Sequence, residues 1–252
     1  MCDWFYFSKR SYKEFLISIK YAYICNMEKI FHIPHSSIII PEKYINEYSI
    51  SKTQLEDDAI TLCDIRTDEM IEGNTIIFPY SRLFCDVERF NSNLEPMNKI
   101  EMGVLYKVNH KLETIRKEPS NEILSHYDDH HKKLNDITKE KLKDGDVLFI
   151  DLHSFSNKAL PYELHKNSKR PDICLGINTR YNKNIIEKII YIIEKFNYSF
   201  VINEPFIGCL LPSDYINDVR VHGVMIDINK NIYNTDSKFE KIKDFLQCVK
   251  EI

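Results

Sequence analysis

Two histidines in this chain sit where a metal could be held. His35 lies in Pro34-His35-Ser36-Ser37, just past an apolar run at 29–33, and His153 lies in Asp151-Leu152-His153-Ser154, where the apolar run 146–152 ends. Imidazole is the commonest protein ligand for zinc, and a neighbouring carboxylate, here Asp151, can orient the ring that ligates. Two such rings far apart in sequence suit a catalytic metal centre, although the same spacing fits two histidines satisfied in loops. A catalytic centre also needs a third ligand and an open position for water. Asp64, Asp68 and Glu69 are the candidates. On a helix Asp64 and Asp68, four apart, share one face. A solvated helix surface accounts for most such carboxylates.

Asp227 interrupts the apolar run Val224-Met225-Ile226-Asp227-Ile228. A buried carboxylate is costly unless it is paired or working. Beside a metal it could accept the proton of an attacking water; a salt bridge to Lys230 is the structural alternative. Arg82 and Arg89 lie around Asp86 and Glu88 in the stretch 81–90. The planar guanidinium fork binds carboxylates, so an Arg at the edge of a site selects an acidic substrate, unless it pairs internally with Asp. His126 and His130 are four apart but lack the Glu of an H-E-x-x-H metalloprotease, and read as a surface or core pair. No G-x-S-x-G elbow and no glycine-rich phosphate loop is present, which leaves metal-assisted hydrolysis as the best-supported chemistry.

These residues need elements to position them. Short runs rich in Ile, Val and Phe predict buried strands at 29–33, 75–78, 83–87, 146–152, 172–177, 198–203 and 223–228. Helical periodicity covers 51–72, which opens on a Ser or Thr cap ahead of Glu56, and 182–196, with Ile185, Ile186, Ile189, Ile190 and Ile193 on one face. The stretch 102–142 predicts two helices broken near Pro119, and 237–249 a closing helix. Strands alternating with helices imply a three-layer α/β/α fold around a mainly parallel, mixed sheet. In such sheets the chemistry gathers beyond the carboxyl ends of the strands, where His35 and His153 fall. Residues 27–252 read as one domain. Residues 1–26 are either an extension upstream of a start at Met27 or an amphipathic helix packed on that domain; their charges break any signal-peptide core.

Composition narrows the function classes. The 252 residues carry a formal charge of −4, with 43% hydrophobic and 29% charged residues, an ordinary balance for a globular protein. Nothing in it calls for nucleic acid or an anionic membrane as partner, and no apolar run is long enough to span a bilayer. The 7 cysteines stand singly, without a C-x-x-C pair, which argues against a cysteine-built zinc site and against a disulfide framework, and for a reducing cytoplasm. The oligomeric state is left open.

Taken in order, the segments resemble one family. They are 31–37 (Phe-His-Ile-Pro-His-Ser-Ser), Asp64 with Thr67-Asp68-Glu69, Ser81-Arg82-Leu83 running through Asp86-Val87-Glu88-Arg89-Phe90, Glu95-Pro96-Met97 and Gly103-Val104-Leu105-Tyr106. Asp151-Leu152-His153-Ser154-Phe155 follows, then 171–176, Asn203-Glu204-Pro205-Phe206 and 227–233. The chain is similar to N-formylglutamate amidohydrolases from about residue 30 to about residue 234. The resemblance implies a zinc carboxypeptidase-like, phosphorylase/hydrolase-like fold. It also implies hydrolysis of a small acidic N-acyl amino acid, typically N-formyl-L-glutamate to formate and glutamate in histidine degradation. One zinc ion would be held by His35, His153 and Asp64, with Asp68 and Glu69 as alternatives to the last. Asp227 would be the proton acceptor, Arg82 or Arg89 the clamp on a substrate carboxylate, and Asn203 a further polar contact. Two positions depart from the family pattern: Asp227 stands where Glu is usual, and Lys230 where Arg is common, which loses the bidentate fork. Other readings are a metal hydrolase for a different N-acyl amino acid or a small peptide, and a non-catalytic binding protein on the same fold.

Overall fold

The computed structural model describes residues 27–163 and 169–252; the expectations for 1–26 lie outside the described residues. Six strands form one sheet: β1 (Glu28–Ile33), β2 (Thr75–Ile77), β3 (Val147–Phe155), β4 (Ile173–Gly176), β5 (Phe200–Ile202) and β6 (Val221–Asn229). Their order is β2-β1-β3-β6-β4-β5, and every pair is parallel except β4 with β6. All nine residues of β3 are buried, as a central strand covered on both faces requires.

Among the described residues four α-helices surround the sheet: α1 (Lys52–Leu62), which packs on the loops through Leu55, Ala59 and Leu62, and α2 (Leu124–Lys141), α3 (Lys183–Lys195) and α4 (Asp236–Lys250), which cover the strands. Side chains alternate along each strand, so the two faces carry different residues. Phe31 and Ile33 of β1, Leu148, Ile150 and Leu152 of β3, and Val224, Ile226 and Ile228 of β6 pack against the isoleucines of α3 and against Phe239, Ile242 and Phe245 of α4. Ile30, Val147 and Phe149 face the other way, toward Leu134 of α2. His32, Asp151, His153 and Asp227 share the parity of this second face. The polar residues with chemical potential therefore lie on one side of the sheet, and the larger apolar core on the other. Helix α3 begins where the Asn182 side chain accepts from the N–H groups of Asn184 and Ile185.

Three expectations are corrected. The run 83–87 is not a strand. Its first two residues belong to a turn at 82–84, and Leu83, Phe84, Cys85 and Val87 are buried by packing rather than by sheet pairing. The stretch 102–142 holds one helix, α2, while 102–120 is irregular. The loop is braced by Arg116, which is fully buried and donates to the carbonyls of Tyr106 (2.6 Å) and Phe84 (3.0 Å) and to the Tyr48 hydroxyl (3.2 Å). Helix α1 ends at Leu62, and Arg66 takes a left-handed conformation (φ 64°), so Asp64 and Asp68 do not share a helical face. Among the described residues, no helix is long and apolar enough to cross a membrane.

Candidate active site

The end of β1 and the loop after α1 are tied together by the backbone: Asp64 N–H donates to the His35 carbonyl at 2.8 Å. Within that loop Thr67 donates its hydroxyl to the Asp64 carbonyl at 2.8 Å. From the segment after β6, Lys230 Nζ donates to the Cys63 carbonyl at 2.6 Å and the Tyr233 hydroxyl to that of Ile65 at 3.2 Å. The Asp64 carboxylate is thereby held between two rings. Its Oδ2 lies 3.1 Å from Nδ1 of His153 and 3.6 Å from Nδ1 of His35, and the ring centroids are 5.1 Å apart.

Each ring turns its other nitrogen to a second carboxylate. His35 Nε2 lies 2.9 Å from Asp86 Oδ1, and His153 Nε2 lies 3.1 Å from Asp151 Oδ1. An imidazole that donates from one nitrogen to a carboxylate offers the lone pair of the other, which is how zinc-bound histidines are arranged. Nδ1 of His35 is buried and has no hydrogen-bond partner, and the ligand atoms offered by His35, Asp64 and His153 lie within 4.8 Å of one another. Two nitrogens and a carboxylate oxygen, all buried, fit a divalent ion such as zinc with a position left for water. Burial opposes the Asp64 charge, but the bonds to His153 and His35 hold its carboxyl below the usual range. Burial likewise opposes charge on His153, and Asp151 outweighs it and raises the ring's proton affinity well above normal. The same carboxylates that favour a proton there favour a metal cation.

Asp227 is the register partner of His153 on β6. Its Oδ1 is buried without a hydrogen-bond partner, and among the described residues no ion pair joins it to Lys230. Burial pushes its carboxyl up to about 8, against the pull of His153, and Asp64 adds to the rise. Arg82 and Arg89 both converge on Asp86. Arg82 donates to Asp86 Oδ2 from Nε (3.2 Å) and from its terminal nitrogen Nη2 (2.9 Å), and the Tyr106 hydroxyl donates to the same oxygen at 2.7 Å. Arg89 is held more loosely: its Nε is 3.5 Å from Asp86 Oδ2, makes no hydrogen bond, and the side chain is 22% exposed.

With this geometry in place, the chain can be compared with known proteins. Residues 27–234 match the family model of N-formylglutamate amidohydrolase. The chain belongs to that family. No curated protein matches it. Among solved structures, it is similar to an N-formylglutamate amidohydrolase from Ralstonia eutropha JMP134, with 15% identity, a TM-score of 0.74, and coverage of 89% of this chain and 91% of that one. It is also similar to a gene product of Agrobacterium tumefaciens, with 18% identity, a TM-score of 0.65, and coverage of 92% and 91%. At these identities the two likenesses show the shared α/β fold.

The N-formylglutamate amidohydrolase architecture brings His35, Asp64, His153, Arg82, Arg89 and Asp227 to one region. It leaves others aside. Asp68 and Glu69 are exposed, and Glu69 pairs with Arg66 at 3.1 Å. Asn203 has a bracing job: its amide accepts from the N–H groups of Ile177 and Gly208 and donates to the Ile177 carbonyl. His126 packs among Tyr44, Tyr80 and Phe84, whereas His130 reaches the site indirectly, through His32. Sequence reasoning missed Asp86 as the carboxylate behind His35, and it gave no role to His32 or Arg170. Arg170 donates to the Ser156 carbonyl, pairs with buried Glu163, and feels the charge of Asp227. No periodicity marks its segment. The signal for His32 was its place in β1, two residues from Ile30 and so on the same face.

Proposed function

We propose that this member of the N-formylglutamate amidohydrolase family uses one zinc ion to hydrolyse the amide of an N-acyl amino acid, converting N-formyl-L-glutamate to formate and glutamate in cytoplasmic histidine degradation. The observation that carries the reading is the convergence of His35 Nδ1, Asp64 Oδ2 and His153 Nδ1, with Asp86 and Asp151 behind the two rings. These three atoms would hold the ion. When bound, zinc supplies Lewis acidity toward the acyl carbonyl and the attacking water. Asp227 accepts the proton that the water loses and returns it to the amine nitrogen as the C–N bond breaks, so water is divided between formate and glutamate. Arg89, whose Nε lacks a hydrogen-bond partner, grips a substrate carboxylate, and Arg82 holds Asp86 and adds positive potential. Anchoring at that carboxylate sets the amide over the metal position.

The test is metal content together with a substrate panel. The purified protein is expected to hold one zinc per chain and to hydrolyse N-formyl-L-glutamate faster than N-succinyl- or N-formiminoglutamate or short peptides. A chelator should abolish the activity and added zinc restore it. Full activity in the chelator, or a preference for peptides, contradicts the reading. Arg89→Gln is expected to raise KM by roughly 10- to 100-fold with kcat little changed. A hydrogen bond to a charged group contributes about 1.5–3 kcal/mol, and this one is present equally before and during the reaction. An unchanged KM would place the substrate carboxylate elsewhere.

A further inference from the structure

His32 is fully buried on β1, and the parallel register sets it beside Asp151 on β3. Its Nδ1 lies 3.0 Å from Asp151 Oδ1 and 3.1 Å from Glu88 Oε1. Its Nε2 lies 2.9 Å from Nε2 of His130 on α2. The same Asp151 oxygen that meets His32 also meets His153 Nε2 at 3.1 Å, and the other Asp151 oxygen accepts the N–H of Leu210 at 3.0 Å. A continuous chain of polar contacts therefore runs from helix α2 to the proposed metal ligand: His130, His32, Asp151, His153.

The direction of each bond follows from the groups. Nδ1 of His32 faces two carboxylate oxygens and carries a proton: it donates to Asp151 Oδ1, while Glu88 Oε1, which accepts no hydrogen bond, adds only charge. The contact between Nε2 of His32 and Nε2 of His130 needs one donor and one acceptor. Burial, reinforced by the charge on His32, drives His130 down to about 2, so His130 is neutral and accepts. Burial opposes charge on His32 as well, but Asp151 and Glu88 outweigh it and raise its pKa to about 9. Both nitrogens of His32 donate.

We propose that His32 is a positioning residue for the metal ligand His153: held between α2 and β3, it fixes the Asp151 carboxylate that orients the His153 ring. The inference rests on the reading of His35, Asp64 and His153 as metal ligands. A rival account makes His32, Glu88 and Asp151 a second cation site, since their ligand atoms also lie within 4.8 Å of one another. The ring nitrogens distinguish the two clusters: His35 Nδ1 has no hydrogen-bond partner, whereas both nitrogens of His32 have one, at 3.0 Å to Asp151 Oδ1 and 2.9 Å to His130 Nε2, which leaves no lone pair on His32 for a cation.

Two variants test this. His32→Asn keeps a donor where Nδ1 stood and loses the charge and the bond to His130. His32→Leu loses all three. Zinc affinity is measured by competition with a chromogenic chelator, alongside zinc per chain and the thermal unfolding of each apoprotein. Affinity is expected to fall roughly 3- to 10-fold in His32→Asn and about 10- to 100-fold in His32→Leu, the range seen when outer partners of metal ligands are removed. Stoichiometry should stay at one zinc per chain. A merely structural role would lower the unfolding temperature and leave the affinity of folded His32→Asn at the wild-type value, which overturns the proposal. Loss of a second zinc equivalent in the variants also overturns it, in favour of the second cation site. If His32→Leu does not fold, His32→Asn decides. Wild-type protein that binds no zinc overturns the metal reading and this inference together. Zinc that is lost in His153→Ala but indifferent to His32 overturns this inference alone.

Discussion

Alanine in place of His153 is expected to strip the metal and silence hydrolysis. The ring is one of three proposed ligands, and a protein zinc site contributes roughly 12 kcal/mol, so losing a third of it costs about 4 kcal/mol. That is about a thousandfold in affinity, enough to empty the site at ordinary zinc concentrations. The loss is deepened because the ring separates Asp64 Oδ2 from Asp151 Oδ1, at 3.1 Å on either side. Without it, two buried carboxylates face one another with no cation between them. Metal analysis of the dialysed variant, activity on N-formyl-L-glutamate, and circular dichroism to verify folding make the measurement. Full zinc occupancy with wild-type turnover would remove His153 from the ligand set and with it the proposed chemistry.

Asp227→Asn is expected to leave zinc content at the wild-type level and to lower kcat about 10²- to 10⁴-fold, the usual contribution of a positioned acid–base group. The amide keeps the carboxyl's shape but cannot accept the water's proton. The unpartnered Oδ1 and the place of Asp227 beside His153 in the sheet motivate the expectation. Burial, with Asp64 adding to it and His153 opposing it, pushes this carboxyl up to about 8, which keeps it largely protonated near neutrality. A divalent cation nearby lowers it, so the base depends on the metal it serves. Asp227→Glu, which lengthens the side chain by one methylene and keeps the carboxyl, separates reach from chemistry. Wild-type kcat in the Asn variant would assign the proton to another group.

How much of this was legible beforehand varied with the kind of signal. The place of His35 just past β1 could be read because that strand is an apolar run with polar punctuation, whereas β3 continues past His153 to Phe155, so that ring lies within the strand, near its carboxyl end. Helix α3 could be read because five isoleucines recur at helical spacing and Asn182 caps them. The failures share a cause. In 83–87 a short apolar run is buried, but burial in a loop packed under Tyr106 and Arg116 leaves the same trace as burial in a strand. The irregular stretch 102–120 looked helical because nothing local shows that Arg116, from within it, would satisfy its carbonyls and those of its neighbours. Asp86 was visible as a residue, but its role depends on His35 folding onto it from 51 positions away. Long-range pairs of this kind are absent from any local window, whereas the alternation that put His32, Asp151, His153 and Asp227 on one face is a purely local property.

Asp86 stands between the proposed metal ligand and the proposed substrate anchor. One of its oxygens accepts from His35, a proposed metal ligand; the other holds Arg82, Tyr106 and, more loosely, Arg89, the proposed anchor for the substrate. Two binding events that share a carboxylate cannot be energetically independent. Reciprocity then follows from thermodynamics alone: by whatever factor the cation raises the affinity for an anionic ligand, that ligand raises the affinity for the cation by the same factor. An acidic substrate would thus help to keep the enzyme loaded where zinc is scarce.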